Sequence, residues 1–343
     1  MRRIRQMRRW IVSTVLLTLG VCSACVSSPV LRPEAPAAPC AAASDTVRWL
    51  RAVSAGEAAQ SDRWCAAIGA PAIRRRAGAD AATPLTVISW NTHVGGGDVG
   101  RLVEDARSGR LTGKRAGDLV LLLQEVYRDG DSVPATPPPR SRYASAEQPA
   151  PPGGTRRSIS AVADALGLSL FYVPSMRNGR AEEDRGNAIL SSVAIDRLEA
   201  IELPLERQRR VAVAAEIRVV GRPPVTIRIV STHFTNMVAH HLWLASEPGR
   251  VRQARALAQA LKDDEPTVLG GDLNSWFGYS DGAFREIARI LPLARPADRR
   301  PTFAPMRLDH IAARLPAGWR ISLHRADSRY GSDHYPLVAI ISN

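Results

Sequence analysis

Val268-Leu269-Gly270-Gly271-Asp272-Leu273-Asn274 sets a carboxylate and a carboxamide two residues apart where a short apolar run stops at two glycines. Residues i and i+2 leaving a strand end point to the same side, so Asp272 and Asn274 can face one cleft. Such composition is also ordinary turn chemistry, and its meaning depends on its company. Val87–Trp90 runs into Asn91, Leu119–Leu123 into Gln124-Glu125, and Ile227–Val230 into Ser231-Thr232-His233. Arg307-Leu308 leads to Asp309-His310, and Ser332-Asp333-His334 precedes the last apolar run, Leu337–Ile341. Singly, each has a structural reading as a solvated acid, a satisfied histidine or a turn. Jointly they provide what phosphoester cleavage needs: charge neutralised on phosphoryl oxygens, an activated water and help for the departing oxygen. Oxygen ligands without a cysteine or histidine cluster suit Mg²⁺ or Mn²⁺ rather than zinc.

The elements that must position these residues are short strands alternating with amphipathic segments from Pro84 onward. Strands are predicted at 85–90, 118–123, 169–173, 187–192, 211–219, 225–231, 267–269, 308–312 and 337–341. Helices are predicted at 100–106, 158–166, 250–262 and 282–290. The runs 211–219 and 225–231 form a hairpin through Gly221-Arg222-Pro223-Pro224. Residues 130–157, rich in Pro, Ser and Gly, read as a long insertion.

In order and chemistry, these strand-end residues resemble the endonuclease/exonuclease/phosphatase superfamily, over about residues 84–343. The resemblance implies an α/β fold, a four-layer α/β/β/α sandwich with two packed mixed β-sheets and the active site along one edge. It implies Glu125 as principal metal ligand, with Asn91 beside it and Asp333 near the metal. Asp272 would orient or deprotonate the attacking water, and Asn274 would donate to developing phosphorane oxygens. His334 would act as base or phosphate binder held by Asp309, an assignment exchangeable with Asp333. His233 would bind phosphate and assist the leaving oxygen, and the duties of the two histidines can be swapped. Asp184-Arg185-Gly186-Asn187-Ala188-Ile189-Leu190-Ser191 also resembles a superfamily segment and makes Asn187 a substrate contact, with a turn-and-strand role as the alternative. His93 is expected behind the first layer of contacts and His310 inside the fold. Trp276-Phe277 reads as a packed core pair, or else as a lip for stacking or lipid contact.

Composition bounds the rest. The chain has 343 residues, 45% of them hydrophobic, and its mean hydropathy of -0.14 excludes a multi-span membrane protein. The formal net charge is +13; residues 1–24 carry Arg2, Arg3, Arg5, Arg8 and Arg9 and no acid, so the chain without them keeps +8. That balance, with the run Arg207, Arg209, Arg210, fits nucleic acid or anionic phospholipid partners. Residues 1–24 read as an export signal, basic then apolar. Ser23-Ala24-Cys25 offers a lipidation site and hence a membrane anchor, although Cys22 stands where a lipoprotein signal carries leucine. The expected organisation is a flexible Pro/Ala linker at 25–39, a small helical preface at 40–83 and a monomeric catalytic domain at 84–343. Cys40 and Cys65 can close a disulfide in an oxidising compartment, or remain two buried thiols. The expected product is an exported or lipid-anchored phosphodiesterase with nuclease activity. Alternatives are a phospholipid-headgroup or phosphoinositide phosphoesterase, and an inactive member binding anionic ligands.

Overall fold

Apolar strands arranged in two facing sheets bury the chain's hydrophobic residues in three layers. The computed structural model describes residues 31–33, 46–52, 55–130, 132–135, 144–145, 156–178, 182–206, 208–221, 223–236, 247–261, 264–292 and 298–343. The first sheet contains β1 (Leu31–Pro33), β2 (Arg48–Ala52), β9 (Asp196–Glu202), β10 (Val211–Val219), β11 (Val225–His233), β12 (Thr267–Asp272) and β13 (Asp309–Arg314), adjacent in that order. The second contains β3 (Ala72–Arg74), β4 (Leu85–Asn91), β5 (Asp118–Asp129), β7 (Ser169–Asn178), β8 (Glu183–Ser191), β14 (Arg320–Arg325) and β15 (Leu337–Ser342). Its order is β14-β15-β4-β5-β8-β7-β3, with β6 (Ala144–Ser145) beside β7. Both sheets are mixed: β4–β5 and β11–β12 pair parallel, most others antiparallel.

Between the sheets, Val87, Val120, Leu122 and Ile189 meet Val213, Ile229, Val268 and Ile311. Outside the second sheet, α2 (Val99–Ser108) and α3 (Ile159–Leu166) cover Ile88, Leu121 and Leu123 with Leu102, Val103 and Val162. Outside the first, α4 (Glu247–Ala260) and α5 (Gly282–Ile290) cover Val230 and Leu269 with Leu257, Phe284 and Ile287. The expected four-layer sandwich is therefore the observed one.

The glycines of the Gly-Gly-Asp run do not end their strand, as the sequence suggested. Strand β12 continues through them to Asp272. They are there for space: a Cβ on Gly270 would lie 2.6 Å from the Ser89 Cβ on the facing sheet, and one on Gly271 2.2 Å from the Thr232 carbonyl oxygen.

The preface departs from expectation. Residues 48–52 form strand β2 rather than a helix, parallel to β9, and residues 31–33 of the presumed linker pair with it. Helix α1 (Ala55–Cys65) is present, but Ala72–Arg74 then joins the other sheet beside β7. Buried ion pairs explain why this segment is part of the sandwich. Arg51 and Arg209 both bind Glu202, at 2.9 and 2.8 Å, and Arg228 binds Glu199. Asp184, fully buried, accepts from Arg128, the Tyr172 hydroxyl and the Gly69 backbone N–H. Cys65 is disulfide-bonded; Cys40, the expected signal segment 1–24, Cys25 and Arg207 lie outside the described residues.

Candidate active site

Strand register brings the polar strand ends into one row. In the first sheet His233 pairs with Asp272 across the parallel β11–β12 ladder, and Asp272 pairs with Asp309 across β12–β13. In the second, Asn91 ends β4 beside Gln124 of β5, and β15 runs along the other side of β4 just after His334. The two rows face each other over a cleft of about 280 Å³ lined by Asn91, Glu125, His233, Asp272, Asn274, Asp333 and His334, with His93, Asn236, Trp276, Phe303 and Leu308 around them.

Glu125 enters this cleft through a backbone irregularity. The β5–β8 register shifts between Leu123 and Val126, and Glu125 has φ 51°, a left-handed conformation unusual for a residue with a Cβ. Asn274 has φ 47°. Its backbone N–H donates to Asp272 Oδ1 at 2.8 Å, and its side-chain Nδ2 donates to the Phe234 carbonyl at 3.0 Å. Such conformations cost about 1–3 kcal/mol each and concentrate at functional sites.

Contacts from Asn91, His334 and His233 tie the groups together. Asn91 Nδ2 donates to Asp272 Oδ2 at 3.0 Å, joining the two sheets. His334 Nδ1 lies 2.7 Å from Asp309 Oδ2, while its Nε2 lies 3.8 Å from Asp272 Oδ2. His233 Nε2 approaches the same Asp272 oxygen at 3.5 Å, and its Nδ1 lies 3.1 Å from Arg210 Nη1. Of the two acids considered for His334, Asp309 is thus the one bonded to the ring. Asp333 is more open, 3.9 Å from His334 Nε2 and 3.7 Å from His93 Nδ1.

Electrostatics separate the roles these groups can take. Burial, and next the neighbouring Asp309 carboxylate, push the Asp272 pKa up to about 7. Burial opposes charge on His334, but Asp309, assisted by Asp272 and Asp333, outweighs it and raises the ring to about 10. His334 is therefore a cation at neutral pH and suits phosphate binding better than proton abstraction. His233 goes the other way: burial, then Arg210 and His334, hold its pKa well below the usual histidine value.

The donor set fits a hard cation. Glu125, Asp333 and Asn91 line the cleft with oxygens, and Asn91 Oδ1 accepts only the His93 N–H among the protein donors described. Asp272, Asp309 and His334 also bring one ligand atom each within 4.8 Å of one another. Within that trio His334 Nδ1 is already bonded to Asp309 Oδ2.

The endonuclease/exonuclease/phosphatase family pattern matches residues 88–334, spanning both rows of the cleft. The chain belongs to this family. Endonuclease/exonuclease/phosphatase enzymes are metal-dependent phosphoester hydrolases, and this chain is an enzyme of that class. Solved structures agree in fold. The human nocturnin catalytic domain with bound sulfate is 16% identical, with a TM-score of 0.50 over 78% of this chain and 97% of that one. A family protein from Leptotrichia buccalis is 15% identical, with a TM-score of 0.51 over 76% and 100%. No match was found among curated proteins.

Several expectations change. Asn187 does not line the main cleft: it is buried between the sheets, and its Nδ2 donates to the Val211 carbonyl at 2.7 Å. That bond gives it a structural role, and it also lines a small hollow with Glu125, Arg210 and His233. Arg209 and Arg210 are buried, one on Glu202 and the other on His233, so they do not form a surface track for phosphates. His93 lines the cleft directly. Trp276 does too, with Phe277 half exposed beside it, so the pair is a lip and not core. His310 is buried against Ser275, as expected. Sequence reading missed Arg210 as a site residue because it stands in a run of arginines that looked solvated.

Proposed function

We propose that this enzyme is an exported Mg²⁺- or Mn²⁺-dependent phosphodiesterase acting on nucleic acid. The observation that carries the phosphodiesterase reading is the shared Asp272 carboxylate, approached by Asn91, His233 and His334 at 3.0, 3.5 and 3.8 Å. Glu125, with Asn91 and Asp333, would hold a divalent cation, which supplies positive charge against the phosphoryl oxygens. Asp272, ionised above about pH 7, orients the attacking water and takes its proton. The His334 cation, kept in place by Asp309, binds a phosphoryl oxygen. Asn274 spends one Nδ2 proton on Phe234 and keeps the other for the charge developing on the phosphorane. His233 faces the departing oxygen.

The nucleic acid reading rests on net charge and on a second hollow of about 510 Å³ next to the cleft. Exposed Arg101 of α2 and Arg157 just before α3 line it, together with Gly96, Gly97 and Gly331. The export reading rests on the basic-then-apolar start and carries with it the lipid anchor at Cys25. A second reading, phospholipid headgroup hydrolysis, is favoured by the Trp276-Phe277 lip, in which Phe277 is 49% exposed. Purified protein with Mg²⁺, given plasmid DNA and sphingomyelin vesicles in parallel, decides between them. Nicked plasmid with intact lipid is the expected result; cleaved lipid with intact plasmid would overturn the nucleic acid assignment.

A further inference from the structure

His233 ends β11 with only 3% of its surface exposed, and its Nδ1 has two neighbours with opposite demands. Glu125 Oε1, at 3.8 Å, would favour a proton on that nitrogen. Arg210 Nη1, at 3.1 Å, requires a lone pair there, because a guanidinium has donors and no acceptor. Distance decides the conflict: 3.1 Å is a hydrogen bond and 3.8 Å is not. Arg210 is well placed to hold this contact. It immediately precedes β10, is 6% exposed, and is fixed by a second bond from Nη2 to Gln208 Oε1 at 3.1 Å. Burial lowers its pKa only to about 10, so it remains charged at neutral pH. With Nδ1 accepting, the ring's proton must sit on Nε2, the nitrogen 3.5 Å from Asp272 Oδ2.

We propose that Arg210 is a positioning residue, which locks His233 as the neutral imidazole protonated on Nε2. His233 then enters hydrolysis as a hydrogen-bond donor to a phosphoryl or departing oxygen, and not as a base. This divides the duties that the two histidines could otherwise exchange: His233 donates, His334 supplies charge, and Asp272 alone accepts the proton of water. The tautomer follows from the hydrogen bond itself; only its catalytic consequence rests on the phosphodiesterase reading. The charged and titratable groups around the ring are Arg210, Arg185, Glu125, Asp272 and His334.

The test is the ring ¹⁵N spectrum of the full chain labelled at histidine, with His233 assigned by its absence in His233→Gln. The expected pattern is an unprotonated Nδ1 and a protonated Nε2, unchanged from about pH 6 to 8. A proton on Nδ1, either as the other tautomer or as imidazolium, would overturn the proposal. Arg210→Met should mix the tautomers and lower kcat on bis(p-nitrophenyl) phosphate about tenfold or more. Arg210→Lys, which keeps a cationic donor, should restore both readouts in part. An unchanged His233 spectrum in folded Arg210→Met would also overturn it. If that variant does not fold, the native spectrum still decides. A native chain that shows the expected tautomer but hydrolyses no phosphoester would sink the functional reading and leave the Arg210–His233 lock intact.

Discussion

Asn91 of one sheet donates to Asp272 of the other at 3.0 Å, so this hydrogen bond, like His334–Asp309 at 2.7 Å, spans the seam of the sandwich at the point where chemistry is expected. The same Asn91 receives the His93 N–H on Oδ1, and its carbonyl accepts from the Ser332 hydroxyl at 2.7 Å. That hydroxyl in turn receives the His334 N–H. Asn91 thus links the Asp272 carboxylate to the loop that carries His334. Asn91→Ala should reduce kcat about 10²-fold while thermal unfolding shifts little, because it removes a donor and a ligand without emptying the core. Steady-state kinetics beside a melting curve checks both halves.

The pH–rate profile should be bell-shaped. Asp272 is ionised only above about 7, so activity rises with pH through that region as the carboxylate appears. His334 keeps its charge to about 10, so activity falls as it is lost. Asp272→Asn should abolish the rising limb together with nearly all turnover. Asp309→Asn removes the charge that holds His334 protonated, and the falling limb should move to lower pH.

Much of this site was legible in the sequence because strand-end residues advertise themselves. An apolar run that stops at Asn91, Glu125, His233 or Asp272 leaves a polar group at a sheet edge wherever the sheet is placed. What could not be read was where buried charges sit. Arg209 and Arg210 look like a solvated run until Glu202 and His233 are found against them. Strand β9 was missed for the same reason, since Glu199 and Glu202 interrupt its apolar pattern and only partners far along the chain make their burial tolerable. Strand β14 was missed as an edge strand with half of its residues exposed. The helical preface expected at 40–83 gave way around Leu50 to pairing with β9, a tertiary preference that no local window contains.

The N-terminal strand is a structural part of the catalytic fold, and Glu202 tests this. Glu202→Ala would leave Arg209 buried with its carboxylate partner gone and remove one of the carboxylates that Arg51 binds. Breaking a buried pair in this way costs about 3–5 kcal/mol. Denaturant unfolding should report a loss of that size, and a chain starting at residue 84 should fail to give a cooperative transition.

His310 offers a pH test of stability away from the reacting groups. Burial, then Arg307, depress its pKa to about 3, and its Nε2 lies 2.7 Å from Ser275 Oγ. A folded-state pKa below the unfolded value near 6.5 means the unfolded chain binds the proton first. Its contribution is intact above about pH 6.5 and lost progressively as pH falls toward 3. Melting temperatures of the native chain should therefore drop more steeply over that window than those of His310→Gln.

The most direct test of the central claim is hydrolysis of bis(p-nitrophenyl) phosphate by the purified chain, stripped with EDTA and then given Mg²⁺ or Mn²⁺. Glu125→Ala and Asp272→Ala are assayed alongside, with circular dichroism as the check on folding. The account predicts turnover that vanishes with EDTA, returns with the cation and is absent in both folded variants. Turnover indifferent to the cation, or retained in both variants, would contradict it.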